Sequence, residues 1–200
     1  SVGIHTIRAM EEVPADKVLR LAMLFHDMGK PAKKTTDAEG IDHFHGHAEL
    51  SAKMAKEILQ RLKFDNDTIG KVTKLVKNHD RKIIPQAKYV RRALCDLGEE
   101  IFLLLLEVKY ADVMAQSTYQ REEKLEELAG LRAVYEEVKA ADNCFSLKQL
   151  AVSGKDLIGA GITPGPAIGQ VLSKLLEMVL EEPQLNTKEK LMDIVSKGIF

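Results

Sequence analysis

All six histidines of this 200-residue chain fall within its first 79 positions, at 5, 26, 43, 45, 47 and 79. That skew gathers side chains that ligate metals and move protons into one part of the chain. His26 is followed directly by Asp27. Neighbouring helical residues sit about 100° apart, so at a helix end both side chains can lean toward one point. The pair closes the most apolar predicted helix, where two polar groups are costly unless satisfied. A divalent first-row cation would satisfy them, because imidazole and carboxylate both suit such an ion. Two ligands do not complete a site, so partners are expected. His5 lies on a short segment before this helix. His47 opens a second predicted helix, and His79 closes a third just before Asp80. Asp112 follows the apolar run Ile101–Leu106, late in a helix that gives a lone carboxylate no other company. Helix ends that converge would bring these groups into one pocket. His43 and His45 read as loop or pocket-rim residues.

The elements that must position these groups are predicted to be helices, because apolar residues recur at helical spacing along most of the chain. Asp16 is placed to cap a helix running to about Met28, with Gly29 and Pro31 as its stop. Val18, Leu19, Leu21, Met23, Leu24 and Phe25 cover nearly all its faces, so it should be central and buried. Residues 33–43 are polar and read as a loop. Further helices are expected at about 46–62, 66–78, 87–97, 99–117 and 120–140, with Asp65 or Asn66 capping the second of these. In the last, Leu125, Leu128, Leu131, Tyr135 and Val138 form one packed stripe on a charged helix. The pattern breaks at Asp142-Asn143. Shorter helices are expected at 153–159, 166–181 and 187–197, and Thr163-Pro164-Gly165-Pro166 is excluded from a helix interior. The predicted fold is all-α: a helical bundle at 1–142 and a small helical appendage at 143–200.

Composition bounds the rest. Hydrophobic residues make up 45% and charged residues 30%, as in an ordinary globular chain, and a net charge of −1 advertises no broad basic surface. Cys95 and Cys144 lack zinc-finger or C-x-x-C spacing and are expected as reduced thiols in packed helices. That suits a cytoplasmic protein. No apolar run approaches the length that spans a bilayer, so no membrane partner is expected. The abrupt start, with a site residue already at position 5, reads as a fragment of a longer protein.

The order H…HD…H…H…D, with the string Leu24-Phe25-His26-Asp27-Met28-Gly29-Lys30-Pro31, resembles the HD superfamily of metal-dependent phosphohydrolases and its HDxGK signature. The resemblance implies His5, His26, Asp27 and Asp112 as primary metal ligands. It implies His47 and His79 as ligands of a second metal or as phosphate-binding groups. Asp27 and Lys30 become the candidate catalytic residues, with Asp27 the natural bridge between two ions and Lys30 a point charge for phosphate. The cofactor would be a divalent metal ion: Mn, Fe, Co, Ni, Zn or Mg. The implied reaction is hydrolysis of a phosphomonoester or phosphodiester.

A closer resemblance is carried by Asp37–Phe44, Gly46–Ala52, Arg61–Phe64, Tyr110-Ala111-Asp112 and the tail element Gly159–Gly169. These segments resemble bacterial CCA-adding tRNA nucleotidyltransferases and the related poly(A) polymerases. The likeness implies an HD region followed by a tail, with tRNA or an RNA 3′ end as partner of the parent protein. Pro166 suits a first helical turn, whose free N–H groups can hold a phosphate. Gly165 and Lys174 are therefore candidate RNA contacts, although a tight helix–helix turn explains the same glycines and prolines. The head that those transferases use for nucleotide addition, with its Gly-Ser turn and paired strand aspartates, has no counterpart in the sequence. Asp65-Asn66-Asp67 has similar letters but reads as a helix cap.

Three functional classes stay open at this point. The first is a phosphohydrolase acting on 2′,3′-cyclic or terminal phosphates. The second is a non-catalytic body that holds tRNA. The third is an independent HD nucleotidase, against which the tail element weighs.

Overall fold

The computed structural model describes residues 1–141 and 143–198 and is helical apart from one short ribbon. The elements run α1 (Val2–Glu12), α2 (Lys17–Phe25), α3 (Lys30–Lys33), β1 (Thr35–Thr36), β2 (Asp42–His43), α4 (His47–Arg61), α5 (Asn66–Asn78), α6 (Ala87–Leu97), α7 (Glu99–Ala115) and α8 (Arg121–Ala140). They continue with α9 (Gly154–Gly159), α10 (Pro166–Glu181) and α11 (Lys188–Ser196), with short 3₁₀ turns at Leu147–Gln149 and Pro183–Leu185. The all-α expectation holds.

Polar caps set several starts. The Leu19 N–H donates to Asp16 Oδ1 at 2.9 Å and opens α2. The Thr68 N–H donates to Asp65 Oδ1 at 2.8 Å and opens α5, so Asp65-Asn66-Asp67 is a cap as its position indicates. Thr187 does the same for α11. Each of these side chains satisfies an amide that the helix itself cannot.

The chain divides into two compact units. The first comprises Ser1–Ile83 and Leu97–Arg132; the second comprises Ile84–Asp96 and Ala133–Phe200. Asp142, at the expected division, lies outside the described residues, as do Ile199 and Phe200. In the first unit α2 packs against α1, α4, α5 and α7, and so is central. Its core includes Leu19, Met23, Leu59, Val72, Leu75, Phe102 and Leu105, each nearly inaccessible to solvent. In the second unit α10 packs against α9 and both 3₁₀ turns. Arg91 on α6 finishes α10 there. Its Nε donates to Leu180 O at 2.9 Å and its Nη2 to Glu181 O at 3.3 Å, satisfying carbonyls left open at the helix end.

Five expectations need correction. The segment carrying His5 is a full helix, α1, whose Ile4 and Ile7 point outward at 57% and 62% exposure and so disguise its buried face. α2 ends at Phe25, three residues before Met28; Gly29 and Pro31 belong to the start of α3 instead of stopping α2. Leu24 on α2 is 43% exposed, so that helix is buried on one side and not all round. The polar stretch 33–43 holds an antiparallel ribbon pairing Thr35 with His43 and Thr36 with Asp42, too short to show alternation. Cys144 is buried but lies in no helix, while Cys95 sits on α6; both are free thiols.

At Gly29 the backbone passes close to α4. Its N–H donates to Ser51 Oγ at 2.8 Å. A Cβ there would meet His47 O at 2.6 Å and Ser51 N at 3.0 Å. Gly29→Ala is therefore expected to lower stability by about 1–3 kcal/mol through overpacking. Urea unfolding checks this, and an unchanged midpoint would contradict the close approach.

Candidate metal centre

Five helices deliver six of the predicted site residues to one place. His5 comes from α1, and His26 caps the C-terminus of α2, with Asp27 next in the turn. Gly46 adopts a left-handed φ of 75° and turns the chain so that α4 begins on His47. His79 caps the C-terminus of α5, and Asp112 lies in the last turn of α7. Lys30, the first residue of α3, joins them with Nζ 2.6 Å from Asp27 Oδ2.

The geometry has two halves that meet at Asp27. On one side His5 Nε2 lies 2.9 Å from Asp112 Oδ1, 3.1 Å from His26 Nε2 and 3.7 Å from Asp27 Oδ2. His26 Nε2 is 3.4 Å from Asp27 Oδ2 and 3.6 Å from Asp112 Oδ1. On the other side Asp27 Oδ1 faces His47 Nε2 at 3.5 Å and His79 Nε2 at 3.6 Å, and those two nitrogens are 3.2 Å apart. Ligand atoms of His5, His26 and Asp27, and again of Asp27, His47 and His79, are grouped closely enough to share an ion.

The imidazoles are held in one orientation. Nδ1 lies 2.7 Å from Met23 O in His26, 2.9 Å from Phe44 O in His47 and 2.8 Å from Val76 O in His79. A carbonyl only accepts, so each Nδ1 carries the hydrogen and each neutral ring turns the Nε2 lone pair inward. Between His47 and His79 two lone pairs then face each other and the Asp27 carboxylate. Asp27 Oδ1 is itself buried without a hydrogen-bond partner among the described residues. Buried acceptors are rarely left so. A cation between Oδ1 and the two imidazoles satisfies all three, and the donor set fits a first-row divalent ion.

Burial works against the Asp27 anion, and positive charge is what holds its carboxyl well below the usual carboxylate range: imidazolium at His79 and His26, standing where an ion would face neutral rings, and then the Lys30 ammonium. Asp112, half-buried, is likewise held low by His26 and His5 against the cost of desolvation. His5 is pushed up, first by its hydrogen bond to Asp112 and against burial. His47 is pushed down, chiefly by burial.

The remaining predicted residues lie elsewhere. His43 Nε2 meets Asp37 Oδ2 at 2.7 Å, and its ring stacks on His45, so both serve the ribbon. Gly165, with φ 134°, precedes α10, and Lys174 lies further along the same helix. Nine residues of helix separate them by about 13 Å, so the two do not form one contact point. The sequence reading missed Gln116 and Lys124. Gln116 Nε2 donates to Asp112 Oδ2 at 3.0 Å, and Lys124 Nζ donates to Gln116 Oε1 at 2.7 Å. The i, i+4 spacing of Asp112 and Gln116 was the available signal.

A family model described as tRNA nucleotidyltransferase domain 2, putative, matches residues 33–195. The CC-adding tRNA nucleotidyltransferase of Thermus thermophilus is 32% identical over 195 residues, covering 95% of this chain and 42% of that protein. The A-adding tRNA nucleotidyltransferase of Deinococcus radiodurans is 31% identical over 180 residues, covering 86% and 41%. The multifunctional CCA protein of Thioalkalivibrio sulfidiphilus is 27% identical over 183 residues, covering 85% and 40%. The chain thus spans about two fifths of the length of these curated relatives. No solved structure gives a significant match. Among the described residues no helix is long and apolar enough to cross a membrane.

The two shifted histidines give opposite pH signatures. Without metal, His5 is expected to titrate above the ordinary value of 6.5 and His47 below it. The stability that His5 contributes is present below about pH 6.5 and is lost as pH rises through its raised pKa. His47 opposes folding at low pH, and that penalty fades as pH rises to about 6.5. Imidazole NMR signals followed from pH 4 to 9 test this, and saturating Zn²⁺ should abolish both titrations. Titrations that Zn²⁺ leaves unchanged would contradict ligation by these rings.

Proposed function

The chain belongs to the tRNA nucleotidyltransferase family, and we propose that residues 1–142 form an HD-type, metal-dependent phosphohydrolase site acting on 2′,3′-cyclic or terminal phosphates, with 143–200 as a tail. The observation that carries this reading is the Asp27 carboxylate, each oxygen of which faces two imidazole Nε2 atoms. A structural ion would need only one such set. Two sets sharing a carboxylate resemble the paired-cation arrangement of enzymes that attack phosphate esters.

A divalent ion bound there would lower the pKa of a water molecule and polarise a phosphoryl oxygen. His5, His26, Asp27 and Asp112 are the proposed ligands on one side, and Asp27, His47 and His79 on the other. Lys30 compensates the Asp27 anion and puts a positive charge near an incoming phosphate. Backbone carbonyls hold the imidazoles, so the donors need little reorganisation. In the hydrolysis, water oxygen forms a bond to phosphorus and the bond from phosphorus to a ribose oxygen breaks. The electron pair leaves with that oxygen, which takes up a proton, and the second water proton passes to solvent.

The wider activity is proposed for a protein longer than this chain. Relatives are named for adding CC, A or CCA, and this chain matches only part of each. In that protein the present residues would be the body and tail that hold tRNA, while nucleotide addition would use residues outside them.

Hydrolysis of 2′,3′-cyclic AMP across Mn²⁺, Ni²⁺, Co²⁺, Zn²⁺ and Mg²⁺, with Asp27→Ala beside the wild type, tests the reading. Metal-dependent turnover that falls to background in the folded variant is expected. Absence of turnover with every metal, in a folded wild type, would replace this reading with that of a tRNA-holding body.

A further inference from the structure

A cleft of about 360 Å³ opens beside the candidate centre in the first unit. Two of its lining residues, His79 and Asp112, belong to opposite halves of that centre, so the cleft reaches both. Next to them is Lys109. Its Nζ donates to His79 O at 3.0 Å. An ammonium has three donors, so two are left for another acceptor. This end of the cleft suits a phosphate.

Charged Asp80, Arg81, Lys82 and Glu127 also border the cleft, but one stretch of its lining is apolar. Ile83, Val113, Leu128 and Leu131 form an apolar wall, with Ile83 and Leu131 buried. Inorganic phosphate has no use for such a wall, and neither does a polyphosphate. A flat apolar group attached to a phosphate ester does. The volume lies at the small end of ligand pockets, which run about 300–1,000 Å³, and so admits one compact ligand and no helical nucleic acid. The polar end is also braced. Lys124 holds Gln116, and Gln116 holds Asp112 Oδ2, which leaves Oδ1 toward His5 and His26. Val113 and Asp112 are thus neighbours on α7, and Leu128 and Leu131 share α8 with the Lys124 that holds Gln116.

We propose that this cleft seats the nucleoside of a single nucleotide, its base against Leu128 and Leu131 and its phosphate between Lys109 and the His79/Asp112 edge. The proposal rests on the phosphohydrolase reading for its chemistry, and it names the substrate class as one nucleotide, free or at the end of an RNA strand.

The test compares Leu128→Arg and Lys109→Met with the full wild-type chain, each checked for folding by circular dichroism and for Mn²⁺ binding by calorimetry. Leu128→Arg is expected to lower kcat/KM for 2′,3′-cyclic AMP, relative to base-free glycerol 1,2-cyclic phosphate, by about ten-fold or more. Lys109→Met should lower kcat/KM for both. A trinucleotide ending in the same cyclic phosphate separates the sources. Equal loss on it assigns the cleft to RNA ends as well, and loss confined to cyclic AMP assigns it to free nucleotides. A relative rate that Leu128→Arg leaves unchanged overturns the proposal while the phosphohydrolase reading stands. Calorimetry with adenosine 2′-monophosphate covers the converse case. If no enzyme form turns over but the wild type binds this nucleotide and Leu128→Arg does not, the cleft stands and the hydrolytic reading falls. If neither form binds it, the cleft assignment falls too.

Discussion

The buried Asp27 carboxylate is the constraint around which the first unit is arranged. It is 1% exposed, and one of its oxygens has no hydrogen bond. A carboxylate taken out of water is expensive unless positive charge or donors replace the lost hydration. Among the described residues only Lys30 gives a short contact, and it serves Oδ2 alone. The surrounding imidazoles offer Nε2 lone pairs, because their Nδ1 hydrogens are committed to backbone carbonyls. Such a nest of acceptors is unfavourable by itself. Positive charge makes it favourable, whether it comes from an ion between neutral rings or, without one, from protonated imidazoles that hold both aspartates low.

The helices deliver that nest by their ends. His26 and His79 are the C-caps of α2 and α5, and His47 is the first residue of α4. Ends can approach one another where helix sides cannot, because the chain turns away after each. Gly29 lets the turn after Asp27 press onto α4, where any Cβ would collide with His47 O. The central position of α2 then couples the pair His26-Asp27 to the packing of the whole unit. A site carried on packed helices holds its geometry more tightly than one carried on loops.

Much of this was legible in residue types alone. The caps Asp16 and Asp65 announced their helices, and the apolar periodicity placed α4 to α8 within a residue or two at most ends. The clustering of histidines and the polar pair at the end of an apolar helix pointed to the right residues to bring together. What stayed hidden has physical causes. α1 turns Ile4 and Ile7 to solvent, so its apolar residues mark the wrong face. A ribbon of two residues per strand is too short to alternate. The orientation of each imidazole depends on a carbonyl three residues back, which any sequence supplies. Gln116 and Lys124 looked like ordinary helix-surface residues until the relay from Lys124 through Gln116 to Asp112 was visible.

Anomalous diffraction from crystals soaked in Mn²⁺ tests the central claim most directly. The account predicts peaks on both sides of Asp27, one bound by Oδ1 with His47 and His79, the other by Oδ2 with His5 and His26. Density that places no ion against Asp27, with the imidazoles unmoved, would contradict it.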